Sequence, residues 1–532
     1  VRIIRTISYI ARADFLERIR QYAFLVILGL TLLAAYFFVP PAEAAYVTLD
    51  LDGYRGIYNS AWIGGSVAIS TTLLLSLLGF YLVKNSIERD ETTGVGQIIA
   101  SSSVKKLYYL LGKWISNFAV LSAITVAVMA ASLIMQWVRG EERVIEWWPL
   151  VSPFLFLTLP FMSVVAALAV GFETTRILKG TLGNVLYFVL YLLFTAGSGV
   201  MPFGPDLIIS AMQKDLMAIS PQSSGSYGMG ILFPEKPLRL FEWQGVDWTW
   251  PLLSQQLSIG LAAFVLIAAA SMLFHGFRET GYAIRKPKRA GTGLADADNT
   301  VFDLQKEIGH PVSGVHVSML PPVVIRDAFL TLIHAEWRLM MKDAATLRWL
   351  VIASVLFILG LAVPISVSAE WKIWPAVWIW PLRLWSGLGS RDTRCGTQYL
   401  VASSPRYATR QLSAMWISGV MLTCITGGGL LLRMLLEGDC KHLLYWTAAV
   451  FLIPSLALAC GVLTGTGRTF ELVYLIIWYL GPFSRMPYLD FLGTRTSETS
   501  AENLLITNMV YLLISMGLLT AAYLSRRRLD QD

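Results

Sequence analysis

Three stretches of this chain, 61–83, 253–274 and 349–367, are each a continuous apolar run of nineteen residues or more. A run of that length matches the ~30 Å hydrocarbon core of a bilayer when it is wound as a helix. Continuity also excludes an outer-membrane barrel, whose strands alternate lipid-facing and lumen-facing residues. Composition agrees: 14% of the residues are charged and the mean hydropathy is +0.59, against about 25% charged in soluble domains. The expected fold class is an all-α polytopic membrane protein.

Twelve spans are expected, at 22–39, 61–83, 114–136, 149–171, 181–200, 253–274, 349–367, 373–389, 413–435, 443–466, 470–484 and 503–524. The eighth and eleventh are the shortest. The first run follows about twenty amphipathic residues with no small-residue cleavage motif, so it is expected to stay as a membrane helix. With the N-terminus inside, 30 of the 42 Lys and Arg residues fall in internal segments. The positive-inside rule therefore places both termini in the cytoplasm, in a plasma (inner) membrane. The net charge of +7 and the terminal "SRRRL" suit the headgroups of anionic membrane lipids and call for no nucleic acid.

A polar segment is written twice. "RDETTGVGQIIASSS" at 89–103 returns as "RDTRCGTQYLVASSP" at 391–405, an offset of 302 residues. Ten of the 28 positions in 89–116 are identical at that offset. Each copy is preceded by an amphipathic segment, 2–20 and 323–343. In the first, Ile3, Ile7, Ile10 and Phe15 share a broad face suited to the inner interface. Further on, "NVLYFVLYLL" (184–193) parallels "ELVYLIIWYL" (471–480). Parallel duplication of an even-span unit is an established transporter architecture. The expected units are 1–274, a linker at 275–320 that reads as flexible, and 321–532. Residues 201–252 form an external insertion in which Trp243, Trp248 and Trp250 are expected at the membrane interface.

Catalytic motifs are missing. No G-x-x-x-x-G-K-[ST] loop occurs, because "LGKW" at 111–114 lacks the upstream glycine and the following hydroxyl. His310 and His316 read as a solvated loop. Cys395, Cys424, Cys440 and Cys460 show no paired spacing and are expected to be unpaired. The triple glycine 427–429 reads as a helix-packing site. Arg383, Arg433 and Glu471 read as helix-end groups.

The stretch "DETTGVGQIIASSSVKKLYYLLGK" resembles the segment between the second and third spans of ABC-2-type transporter permeases, and "GTQYLVASSPR" is similar to its middle part. Val95 and Ser103 depart from the pattern in the first copy, and Ala414–Met415 replaces Gly112–Lys113 in the second. The resemblance implies an ABC-2 (type V exporter-like) fold of two parallel six-helix repeats, with 205–219 as a short re-entrant helix. It implies a membrane permease without enzymatic activity of its own, served by two copies of a soluble ABC ATPase that bind ATP and Mg, and open to an extracytoplasmic partner. The docking residues it implies are Glu88, Arg89, Asp90, Thr93, Gly94 and Lys113 in the first copy. In the second they are Arg391, Asp392, Gly396, Thr397, Pro405 and Arg406. Two other readings stand beside it: a twelve-span major-facilitator-like carrier, faintly suggested by "GLGSRDTRCG" (387–396), and a non-transporting subunit that transmits force to an outside partner.

Overall fold

The computed structural model describes residues 2–20, 22–44, 46–175, 177–196, 205–221, 225–232, 238–277, 329–342, 347–365, 373–403, 407–483, 489–494 and 501–529. The linker expected at 275–320 lies outside them beyond residue 277, as do His310 and His316. Helices dominate, and among the described residues six are long and apolar enough to cross a membrane: Ser60–Thr92, Lys106–Arg139, Trp147–Thr174, Trp250–Leu273, Cys440–Thr464 and Leu504–Arg527. Two bent pairs raise that number to eight if each is one span. Each of the twelve apolar runs carries helix, but 181–200 and 349–367 hold shorter ones, Thr181–Ala196 and Leu347–Ala362. The eighth run is broken into Ile373–Ile379 and Leu382–Trp385, and the eleventh turns from α-helix into a π-turn at Tyr479.

Helix Ser60–Val83 lies at the middle of the first half. Its small residues let it be buried nearly all round, against the helices at Tyr22–Phe38, Lys106–Arg139 and Leu159–Thr174. The Asn59 side chain caps its start, accepting from the Trp62 N–H at 2.8 Å. In the Trp147–Thr174 segment, Phe154–Thr158 winds as a π-turn in which the Leu159 N–H donates to the Phe154 carbonyl. Pro160 follows directly and has no N–H to continue the regular ladder.

The second half centres on Cys440–Thr464, packed on the C-terminal helix Ala501–Leu529. The expected packing role of the triple glycine is visible. Helices Thr409–Thr426 and Gly428–Glu437 meet at 58°, and a Cβ on Gly429 would stand 2.3 Å from the Phe357 carbonyl oxygen. All four cysteines are free.

One end of the bundle carries a four-stranded sheet that the sequence reading did not foresee. Strands β1 (Val47–Leu51), β2 (Tyr54–Gly56), β3 (Tyr227–Leu232) and β4 (Arg239–Phe241) run in the order β3-β1-β2-β4. Asp52 and Gly53, with φ of 53° and 83°, make the tight β1–β2 turn, the left-handed pair that an Asp-Gly hairpin favours. Helix Pro205–Ile219 packs beneath the sheet together with Trp243. Trp243 is therefore not an interfacial anchor: it is 1% exposed and its indole donates to Asp215 at 3.0 Å. Trp250, 75% exposed, keeps that role open.

Candidate functional site

The twice-written segment lies at the end of the bundle away from the sheet, and it folds the same way twice. The first copy is a short helix (Ser86–Thr92), Gly94 at φ +79°, and a second short helix (Val95–Ser101). The second copy is Arg391–Arg394, Gly396 at φ +67°, and Gln398–Ala402. The bonds that shape the turn repeat at the same 302-residue offset. Thr93 N–H donates to Arg89 O at 2.9 Å, as Cys395 does to Arg391. Gly94 N–H reaches Glu91 O, and Gly396 reaches Thr393 O. The Ser101 hydroxyl donates to Ile98 O as Ser403 does to Leu400 O. Glycine at the left-handed cap is what permits the sharp turn between the two helices.

Most of the charged residues in the segment point into the protein. The amphipathic helix Arg2–Ile19 buries Ala11, Asp14 and Arg18, one helical face, against Lys106–Arg139. Asp14 is the hub. It accepts from Arg18 at 2.9 Å, Arg89 at 2.5 Å, Lys113 at 2.8 Å and Ser116 at 2.7 Å. Asp90 takes Lys113 and the Tyr109 hydroxyl, at 2.8 and 2.7 Å. Burial alone would raise the Asp14 carboxyl, but Arg18, Lys113 and Arg89 outweigh it and hold that group well below the usual carboxylate range.

The start of the first short helix is pinned from another span. The Glu173 carboxylate accepts from four consecutive backbone N–H groups, those of Asn85, Ser86 (2.9 Å), Ile87 (2.6 Å) and Glu88 (3.2 Å). An anion at a helix N-terminus satisfies donors that have no partner inside the helix. Glu88 itself reaches across to the other half, pairing with Arg468, which also donates to Asn85 at 2.6 Å.

The second copy repeats the plan with fewer charges. "ADF" at 13–15 corresponds to "AEW" at 335–337, and Glu336 accepts from Arg391 at 3.3 Å, as Asp14 does from Arg89. Gln411, at the position of Tyr109, also donates to Glu336. Met415 stands where Lys113 would be. Burial pushes the Glu336 carboxyl up, Arg391 offsets this only in part, and nearby Asp392 adds to the rise. Asp392 is 3.7 Å from Arg526, whose guanidinium also donates to Gly389 O at 3.0 Å.

Of the residues singled out by sequence, Arg89, Asp90 and Lys113 thus form one buried network, and Arg391 and Asp392 lie in its counterpart. Glu88 joins the halves, Thr93 and Thr397 brace the turns through Arg89 O and Asp392 O, and Pro405 and Arg406 lie outside the described residues. Large apolar side chains are left open to solvent, Val95 at 42%, Ile98 at 70% and Leu400 at 75% exposure, beside exposed polar groups such as Glu91, Thr93 and Arg394. Sequence reasoning missed Asp14, Glu173, Glu336 and Arg468. Only Asp14 left a local signal, an i,i+4 pair with Arg18 on the face that carries Ala11. Compared with known proteins, the chain matches no family model and no curated sequence.

Proposed function

We propose that this chain is the membrane permease of an ATP-driven exporter of the ABC-2 kind, two six-span repeats fused in one polypeptide. Its two repeated loops would dock separate soluble ATPase subunits that hold the ATP and Mg. Under this reading both termini and both loops are cytoplasmic, in the inner membrane, and the small sheet faces outward.

The observation that carries the proposal is the helix–glycine–helix turn built twice, with matching hydrogen bonds, at one end of the bundle. A solvated connection needs neither the repetition nor the anchoring. Each loop is held to an amphipathic helix by an arginine–carboxylate pair, Arg89–Asp14 and Arg391–Glu336. A push on the loop would therefore move the bundle with it. Ile98 and Leu400, on the second short helix of each copy, offer the apolar anchor for a partner groove, with the internal charges holding the loop in shape.

The test is co-purification of the full chain from its native membrane. A phosphate-loop ATPase is expected to come with it, and Ile98→Asp with Leu400→Asp is expected to release that subunit while leaving the melting temperature of the chain in place. Full ATPase occupancy on the double variant would refute the docking assignment. Transport that runs without ATP and follows a proton gradient would replace it with a carrier.

A further inference from the structure

Helices Lys106–Arg139, Trp147–Thr174 and Trp250–Leu273 enclose a cleft of about 480 Å³. Its walls are aromatic and aliphatic, among them Trp114, Phe118, Phe156 and Leu257, and no charged side chain lines it. The π-turn at Phe154–Thr158 forms part of one wall, the kind of irregularity that recurs at functional sites. The exposed Trp250 indole aside, the polar side chains there are satisfied within the protein with one exception. The Trp114 indole donates to Ser163 O at 2.9 Å, the Ser163 hydroxyl donates to Pro160 O at 2.6 Å, and the Ser254 hydroxyl to Pro251 O at 2.8 Å. Gln256 is 2% exposed, and neither its Nε2 nor its Oε1 has a partner.

A primary amide left unpaired among apolar groups costs free energy that a bound molecule would recover. The amide needs a head that both accepts and donates, which a hydroxyl does and an ester or ether oxygen does not. The absence of charge on the walls calls for a neutral head, and the wall chemistry for an aliphatic body. Depth selects the source. Gln256 follows exposed Trp250 by six residues, about 9 Å along the helix. A tryptophan at headgroup level would place the amide just inside the hydrocarbon, within reach of a lipid entering sideways. We infer that the Gln256 cleft binds a neutral, hydroxyl-bearing membrane lipid, its hydroxyl on the Gln256 amide and its chain between the three helices. The inference needs only that these helices cross a membrane, and it stands apart from the ATPase reading.

The test uses the full chain in nanodiscs and a photoreactive, diazirine-bearing octadecanol, with its methyl ether as control. The alcohol is expected to label peptides holding 114–118, 155–163 and 250–260. Gln256→Leu is expected to cut that labelling about tenfold, to the level of the ether. Gly260→Leu should abolish it by filling the cleft, where a Cβ at that position meets nothing within 4 Å. Without added alcohol, Gln256→Leu should melt higher than the wild type, because it removes the unpaired amide, and saturating alcohol should close that gap. Equal labelling by alcohol and ether, or labelling unchanged in both variants, would overturn the assignment and leave the cleft as unselective contact with lipid tails.

Discussion

The side chains of Asn184 and Glu471 hydrogen-bond to each other across the boundary between the two halves. They are also the first residues of the two matching stretches at 184–193 and 471–480. Equivalent residues meet their own counterparts only on a two-fold axis, so under the proposed two-repeat reading this contact is where the axis of the duplication would pass. Neighbouring contacts are paired accordingly. Helix Ser60–Val83 touches Gly467–Trp478, and Leu382–Trp385 touches Thr181–Ala196, each repeat's second run against the other's fifth. Thr181 adds a bond to Glu471 at 2.7 Å, and Lys84 one to Asn184 at 2.5 Å. Cysteines placed at 184 and 471 should therefore be joined by a short bis-methanethiosulfonate cross-linker, each thiol displacing a sulfinate, in a chain whose four free native cysteines are replaced by serine. With a protease site inserted between residues 290 and 291, the cut halves should stay together on a reducing-agent-free gel. Halves that separate would remove the axis.

The Glu173 cap gives a second test. Glu173→Ala leaves the N–H groups of Asn85, Ser86, Ile87 and Glu88 without their common acceptor. An unpaired buried donor costs about 1–3 kcal/mol, so the first loop should open locally before the bundle does. Hydrogen exchange across 85–101 is expected to accelerate by about tenfold or more, while 391–402 keeps its wild-type rate. Acceleration in both loops together would mean that Glu173 serves the fold as a whole.

Much of this arrangement was legible from residue order alone, and the illegible part has a common physical cause. Apolar length located helix in every one of the twelve runs, because helical periodicity and burial act over neighbouring residues. Self-comparison located the loop, and the repeated turn bonds show why Gly94 and Gly396 recur at that place. The contacts that fix the loop are not local. Asp14 and Arg89 are 75 positions apart, Glu173 and Ser86 are 87, and Glu88 and Arg468 are 380. Sequence pattern marks such residues as charged without naming the partner, so Arg89 and Asp90 read as surface groups although Asp90 is buried and Arg89 largely so, both held in ion pairs. The sheet was missed for a different reason: β2 and β4 have three residues each, too few to show alternation, and Asp52–Gly53 was the only clear signal.

Opposite responses to pH are expected from the two equivalent carboxylates. Asp14 has its folded value depressed, so the unfolded chain binds the proton more readily and Asp14 contributes stability above its ordinary range near 4. That contribution is lost as the pH falls through the depressed value. Glu336 has its folded value raised, so the folded chain takes up the proton first. Its contribution improves as the pH falls through the raised value toward 4.5, the ordinary value of the group. Melting curves between pH 3 and 8 should show Asp14→Asn less stable than wild type at neutral pH, with the gap narrowing in acid. Glu336→Gln should match or exceed the wild type at neutral pH and lose that advantage near pH 4. Parallel curves for the two variants would contradict the assigned environments.

The exchange of Lys113 for Met415 between the copies can be reversed. Lys113→Met removes the cation shared by Asp14 and Asp90. Asp14 keeps Arg18, Arg89 and Ser116, but Asp90 loses its ammonium partner and is left with the Tyr109 hydroxyl, a change of about 3–5 kcal/mol when a buried pair is broken. Met415 is 2% exposed, where a lysine would ordinarily be as damaging. At this position, however, the correspondence of the two copies predicts that its ammonium would reach Glu336 and Asp392, as Lys113 reaches Asp14 and Asp90. Met415→Lys should therefore fold with a melting temperature within a few degrees of wild type, and it should bring the Glu336 carboxyl down into the range of Asp14. The measurement is the pH-melting profile of Met415→Lys beside that of Met415→Lys with Glu336→Gln. In the single variant, stability should now fall in acid, and in the double variant it should be lower at neutral pH, because the new ammonium has lost one of its two partners. A single variant that unfolds outright would show that the second copy packs its loop on a different plan.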